Sequence, residues 1–368
     1  MNEVLPSNIT ILLEPTADCN LRCRHCYHAK THYIANKMTF ATLEKFLQRL
    51  TVYYKDVKII WHGGEPLLMG YDFYEKAYSL FQKYSLQNKT RFKFGVQTNG
   101  TLLDDRLIEL FVKTDTHLSL SYDGIYNDAL RQKTGEVERT INELKKKGVA
   151  FSCISTISSV NVRHMTDMYE YFKDLNVPVK FNPIYPDGAA ILAREYLITK
   201  EEWTENFIGL FKYWFYDTNC NIPFISCMDT LKKYVIGFNG CVGGACLYRY
   251  LAVDSYGDLY PCGRLINNGF KLTNIEEIKD IREAFISKTY IDLLNDNIKR
   301  GEKCKVCKWI SRCHSGCNAS AMLCGDIKNP YSFDCYFTKR IFQSIQSLIS
   351  DYDPNRVNKY AKEIINRS

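Results

Sequence analysis

The stretch ITILLEPTADCNLRCRHCY, residues 9–27, decides how this chain is read. Ile9 to Glu14 is a β-branched and apolar run of strand character, and Pro15 ends it. Cys19, Cys23 and Cys26 follow at the spacing C-x3-C-x2-C, on a loop at the carboxyl end of that strand. Three thiolates on a cubane iron–sulfur cluster leave one iron without a protein ligand, and an open metal position lets a small molecule bind directly. A zinc site completed by His28 or His32 would use the same ligand types.

Working outward, short β-branched or aromatic runs alternate with longer segments of helical period from residue 8 to about 186. The expected strands are Ile9 to Glu14, Val57 to Trp61, Phe92 to Gln97, His117 to Ser121, Phe151 to Ile157 and Val179 to Ile184. Between the first two, Thr39 is placed to cap a helix whose Phe40, Leu43, Phe46, Leu47 and Leu50 make one apolar face. Six βα units predict an α/β fold, a partial (β/α)6 TIM-type barrel with a lateral opening and a site at the carboxyl ends of its strands.

The cysteine spacing, with His25 as the aromatic residue before the third cysteine, resembles the radical S-adenosylmethionine (SAM) superfamily. The resemblance implies a [4Fe-4S] cluster that reductively cleaves SAM to a 5′-deoxyadenosyl radical. Later strand ends fit it in order. Gly63, Gly64, Glu65 and Pro66 resemble the family's GGEP segment, which binds the methionine amine; Gln97 to Gly100 and Ser121 to Gly124 resemble segments around the cofactor. On that likeness Asn99, Ser121 and Asp123 lie near the ribose or methionine, and Arg131 is a partner for the methionine carboxylate. Asn-Gly and Asp-Gly are also ordinary turn dipeptides.

In the last third, Cys246 and Cys262 precede Cys304, Cys307, Cys313 and Cys317, spaced C-x2-C-x5-C-x3-C, and a final Cys335. This resembles the seven-cysteine SPASM domain found behind barrels of peptide- and protein-modifying enzymes, and Cys241 supplies an eighth thiol. The resemblance implies two auxiliary [4Fe-4S] clusters, one on Cys241, Cys246, Cys262 and Cys317, the other on Cys304, Cys307, Cys313 and Cys335. Fully ligated clusters serve electron transfer, the acceptor needed by a reaction that ends with loss of hydrogen. A zinc-ribbon domain is the plainer alternative and would make the chain an interaction module without catalysis. Cys153, Cys220, Cys227 and Cys324 read as buried free thiols. The expected division is a barrel over 1–195, a helical connector over 196–240, the SPASM domain over 241–340 and a carboxyl-terminal helix over 341–368.

Composition narrows the classes. Fifteen cysteines with no secretory signal argue for a reducing, cytoplasmic setting, and no stretch approaches eighteen apolar residues, so a membrane partner is not expected. The formal charge of +7 is dispersed along the chain, and three cubane cores on eleven thiolates would bring it to about +2. Nucleic acid is therefore not an expected partner. A peptide or protein substrate is, with a flavodoxin or ferredoxin as electron donor; because eighteen residues precede Cys19, a substrate leader is expected to bind a separate leader-binding protein or the junction of barrel and auxiliary domain. The favoured reading is a maturase of ribosomally made peptides that installs a thioether or carbon–carbon crosslink. The alternative is an anaerobic sulfatase-maturating enzyme; those carry an aspartate after the cysteine matched by Cys262, where this chain has Gly263. Asp258 and Asp187 are the candidate bases, and Asn182 to Gly188 is expected as a turn or as the lining of the substrate entrance.

Overall fold

The computed structural model describes residues 5–28, 36–237, 246–328 and 332–350. Nine strands make one sheet in the order β6-β5-β4-β3-β2-β1-β7-β8-β9. They are β1 Asn8–Leu13, β2 Asp56–Trp61, β3 Arg91–Thr98, β4 Thr116–Ser121, β5 Phe151–Ile157, β6 Val179–Pro183, β7 Tyr250–Val253, β8 Asp258–Tyr260 and β9 Thr273–Asn274. The first six are the expected strands, each end within one residue of its expected place, and they pair in parallel with their chain neighbours.

Helices cover the outer face. The helix Phe40–Leu50 starts where Thr39 accepts the Thr42 N–H at 3.0 Å, and it buries Leu43, Phe46, Leu47 and Leu50. Trp61, the last residue of β2, is fully buried and meets Phe73, Tyr74, Tyr78 and Phe81 of the helix Tyr71–Asn88 edge-on, with ring centroids 5.3 to 6.4 Å apart. Aromatic side chains of this size carry much of the stabilisation of such a layer.

The two edges of the six-stranded sheet are handled differently. At β6 the Ser226 hydroxyl accepts the Phe181 N–H at 2.7 Å and donates to the Phe181 carbonyl at 3.1 Å, so the helix Ile225–Ile236 satisfies that edge. At β1 the cysteine-rich third adds a strand: β7 pairs in parallel from Thr10↔Tyr250 to Leu13↔Val253, and β8 and β9 continue antiparallel. An open edge exposes unpaired backbone groups, and the buried run Leu251, Ala252 and Val253 fills this one. These three strands were not foreseen from the sequence, and their pairing runs across the expected domain boundary.

The helix Phe333–Ser350 returns to the barrel side. Its Phe337 packs on Trp203 and Phe207 of the helix Lys200–Tyr216, centroids 5.8 and 5.0 Å apart. Among the described residues, no helix is long and apolar enough to cross a membrane.

Candidate active site and cysteine sets

The strand ends set the geometry. Leu13 pairs with Trp61, so Glu14 and His62 stand side by side just past the paired ends. Leu13 and Trp61 face the helices and are fully buried; residues 12 and 14 take the opposite face by strand alternation. Glu14 is held between neighbours, its N–H donating to Val253 O at 2.8 Å while the His62 N–H donates to Leu13 O at 3.0 Å.

The first cysteine loop is locked onto this floor. The Gly64 N–H donates to Thr16 O at 3.1 Å and the Glu65 N–H to Asp18 O at 2.8 Å. A Cβ on Gly64 would collide with the Ala17 and Asp18 carbonyl oxygens, and Gly63 adopts φ +114° against Thr16. These glycines thus admit the chain's own loop rather than leaving space. Glu65 accepts from the Leu67 N–H (3.0 Å), the Thr98 hydroxyl (2.7 Å) and the Asn99 N–H (2.8 Å), while burial pushes its carboxyl up to about 7. Asn99 donates to Asn20 Oδ1 at 2.9 Å, beside Cys19.

A second clamp lies across the loop. Arg131 Nε donates to Asp123 Oδ2 at 2.8 Å and Nη2 to Thr156 Oγ1 at 3.1 Å, and Asp123 Oδ1 accepts the Thr156 N–H at 2.7 Å. His25 Nε2 lies 3.3 Å from the same Thr156 hydroxyl, and burial holds the ring well below its ordinary pKa, hence neutral. Ser121 accepts from Gln97 Nε2 at 2.8 Å. All eight residues expected around the cofactor therefore gather at the loop or at strand ends, and several of their polar groups are already used in holding the loop.

The described thiols fall into three sets, judged by which charges act on one another. Cys19, Cys23 and Cys26 form one; burial and neighbouring thiols push Cys19 up to about 11 and Cys26 to about 12. Cys246, Cys262 and Cys317 form another, lining a small pocket with Pro261, Leu265 and Tyr290. Cys304, Cys307, Cys313 and Cys335 form the third. Cys241 lies outside the described residues. Sets of three or four thiols suit iron–sulfur clusters, whose ligands must be thiolates; bound metal overcomes the burial that otherwise keeps them protonated. Cys153 and Cys227 are buried in a strand and a helix, and Cys220 Sγ donates to Ile222 O at 3.1 Å.

The candidate bases already hold partners. Asp258 Oδ1 takes Lys271 Nζ and Asn274 Nδ2, each at 2.6 Å, on the hairpin. Asp187 is buried and accepts the Gly188 N–H at 2.8 Å, and a Cβ on Gly188 would collide with the Cys26 carbonyl, so this turn packs against the first loop. Tyr185 just before it donates to Asp334 Oδ1 at 2.9 Å and lies under the Arg264 guanidinium, 4.0 Å from the ring centre.

The carboxylate that stands between the sets is Glu14. It is 3% exposed, its Oε1 has no hydrogen-bond partner, and His28 Nε2 lies 3.5 Å away. Ligand atoms of Glu14, His28 and His62 lie within 4.8 Å of one another, although His62 Nδ1 accepts the Gly63 N–H at 2.7 Å, which leaves its proton on Nε2 and disfavours a metal there. Burial, then Asp254, push the Glu14 carboxyl well above its ordinary range. Across from it, a Cβ on Gly263 would sit 3.7 Å from Glu14 Oε1. Tyr27 feels the charges of Glu14, Cys26 and Cys262 together. In the sequence Glu14 reads as the end of a strand; its juxtaposition with His62 depends on the β1–β2 register.

Comparison with known proteins agrees with this geometry. Residues 13–174 match the Radical SAM superfamily and residues 241–308 the SPASM iron–sulfur cluster-binding domain. The cysteine-type anaerobic sulfatase-maturating enzyme of Clostridium perfringens is 26% identical over 91% of this chain and 95% of that protein. The serine-type enzyme of Klebsiella aerogenes is 28% identical over 87% and 82%. The solved structure of native anSMEcpe with bound AdoMet and the Cp18Cys peptide superposes with a TM-score of 0.79 at 25% identity, covering 96% of this chain and 99% of that one. Streptococcus suis SuiB bound to its precursor peptide SuiA shares the fold, with a TM-score of 0.62 at 14% identity over 90% and 76%. Iron–sulfur clusters and AdoMet are the cofactors of such domains, and the relatives modify peptides or proteins. The chain is a radical SAM enzyme carrying a carboxyl-terminal SPASM domain.

Proposed function

We propose that this enzyme oxidises a side chain of a peptide or protein and, in the form we favour, crosslinks it through a thioether or carbon–carbon bond. The observation that carries this reading is the facing of Glu14 and Tyr27, on the SAM side, with Cys262 and Gly263 on the auxiliary side. Cys19, Cys23 and Cys26 would hold one cluster, Cys246, Cys262 and Cys317 with Cys241 a second, and Cys304, Cys307, Cys313 and Cys335 a third. When bound, these groups and AdoMet supply the radical that takes hydrogen from substrate carbon and the acceptor for the electron left over. The chain's own part is to orient and to accept a proton. Arg131 and Asp123 fix the loop around Cys23, and Gly263, where a Cβ would collide with Leu12 Cδ1, lets the chain after Cys262 lie close to Glu14. In its ionised form Glu14 would take the proton that leaves the substrate's thiol or other second group as the new bond forms, and its raised pKa would make it a stronger base there, a role moved here from Asp258 and Asp187. His28, beside it, can share that proton.

A second reading, conversion of cysteine or serine to formylglycine, is favoured by the near full-length similarity to sulfatase-maturating enzymes. The Glu14 carboxylate beside Gly263 gives that reaction a proton acceptor as well. One experiment tests both. Protein purified without oxygen should contain about twelve irons and as many sulfides per chain. With AdoMet and dithionite it should release 5′-deoxyadenosine, and a Cys19→Ala, Cys23→Ala, Cys26→Ala variant should not. Offered synthetic cysteine-containing peptides, a crosslinking enzyme returns a product two hydrogens lighter that keeps its sulfur, while formylglycine formation also removes two hydrogens but exchanges sulfur for oxygen. Zinc in place of iron, with no AdoMet cleavage, would sink both readings and leave the interaction module.

A further inference from the structure

Arg300 lies one turn before Cys304 on the helix Lys288–Cys304 and is 0% exposed, one of the largest fully buried side chains in the molecule. A buried guanidinium is costly unless its charge and all its donors are met. Its donors are met by the chain that crosses between two cysteine sets and by Ile327 beyond it. Nε donates to Ser315 O at 2.9 Å, Nη1 to Ile327 O at 2.6 Å and Nη2 to Gly316 O at 3.5 Å and to Asn318 Oδ1. Residues 315 to 318 are the passage from Cys313, in the third set, to Cys317, in the second.

Its charge is met differently. Among the described residues no aspartate or glutamate lies within ion-pair distance of it. The charges acting on it most strongly are the thiols of Cys317, Cys304 and Cys313, ahead of Asp334. One cation thus stands between the two auxiliary sets, bonded to the segment that joins them. Net charge, hydrogen bonding and exposure are what set the potential of an iron–sulfur cluster, and a dry site gives a nearby charge its greatest weight.

We propose that Arg300 is the positioning residue that sets the reduction potentials of both auxiliary clusters, by stabilising the added electron on either and by fixing the crossing between them. This rests on the reading that both sets hold iron–sulfur clusters. The consequence is that the pair accepts an electron from substrate more readily than thiolate-bound cubanes would alone, and that the two are tuned together because they share one cation.

The test uses the full chain with Cys19, Cys23 and Cys26 changed to alanine, so that only the auxiliary clusters are read. Anaerobic redox titration followed by electron paramagnetic resonance is run on this parent and on three further variants, Arg300→Gln, Arg300→Lys and Asn318→Asp. Arg300→Gln removes the charge; Asn318→Asp leaves the arginine in place and pairs it with a carboxylate. Both should move both auxiliary potentials to more negative values at unchanged iron and sulfide, and Arg300→Lys should move them less than Arg300→Gln. Unmoved potentials at full iron content would overturn the proposal, as would a shift in one cluster alone or an equal shift in the lysine variant. If Arg300→Gln loses iron, Asn318→Asp decides. Zinc in the parent would overturn the cluster reading and this inference with it; iron present with unmoved potentials overturns only the inference.

Discussion

The two ends of this molecule that gather cysteines are built on opposite principles. The loop of Cys19, Cys23 and Cys26 sits on a finished frame: six parallel strands, a helical layer around Trp61, and glycines that let residues 16–18 lie against 63–65. The passage from Cys304 to Cys335 has little of this. Among the described residues, the buried apolar cluster around Cys317 contains Leu265 and Ala319 besides the cysteine itself, with Cys262, Phe270 and Met322 packed half-buried against it. The rest is short turns, a buried arginine bonded to carbonyl oxygens, and thiols. One site is placed by its frame, whereas the other supplies much of its own frame. A region that cannot bury enough apolar surface needs staples or metal to stay folded.

That contrast can be broken most directly by removing metal ligands from each side. Cys304→Ala should open residues 288–335 to proteolysis, about tenfold faster or more, because local stability there follows metal binding. The triple alanine variant of the first set should abolish AdoMet cleavage while leaving the proteolytic pattern of residues 36–183 unchanged. Equal loss of protection in both would refute the contrast. Next in size, Gly64→Ala should displace the loop before Cys19, since the added methyl meets the Ala17 and Asp18 carbonyl oxygens of that loop. We expect 5′-deoxyadenosine formation to fall by about tenfold or more from misplacement alone, with iron in the auxiliary sets retained.

Trp61→Ala probes the frame itself. Removing a fully buried indole from its aromatic nest should cost about 3–5 kcal/mol, read as a lower denaturant midpoint for the barrel. A loss below about 1 kcal/mol would mean the layer collapses around the gap, so packing would not be what holds the site. The smallest expected effect is a pH dependence. Burial lowers His62 from its ordinary pKa to about 4. The unfolded chain therefore binds a proton that the folded chain refuses between about pH 6.5 and 4. The stability difference between wild type and His62→Gln should be constant above that window and shrink as pH falls through it. A difference that does not change across the window would show that His62 is not held neutral by its surroundings.

Much of the site was legible because its spacing is local. Cys19, Cys23 and Cys26 lie on one loop, Gly63 to Glu65 on another, and each follows a strand whose pattern is plain. Arg131 and Asp123 were expected near the cofactor and are found clamped to Thr156, which no local pattern announces. The strands of the cysteine-rich third were missed because Tyr250 to Val253 is only four residues long, and its role exists only once an edge of β1 is available. Asp258 drew attention by nearness in sequence to Cys262, yet a hairpin turns it toward Lys271 and Asn274.

The sequence by itself determined the chemistry to look for and the parallel sheet to carry it, since metal-ligand spacing and strand alternation act between residues a few positions apart. Only the tertiary structure decided which groups share a space. Glu14 meets His62 through strand register and Gly263 through the pairing of β7 with β1, and Arg300 meets Cys317 through a crossing loop. Those meetings join residues from 17 to 249 positions apart, and they are fixed by burial and backbone pairing, which no short window of sequence contains.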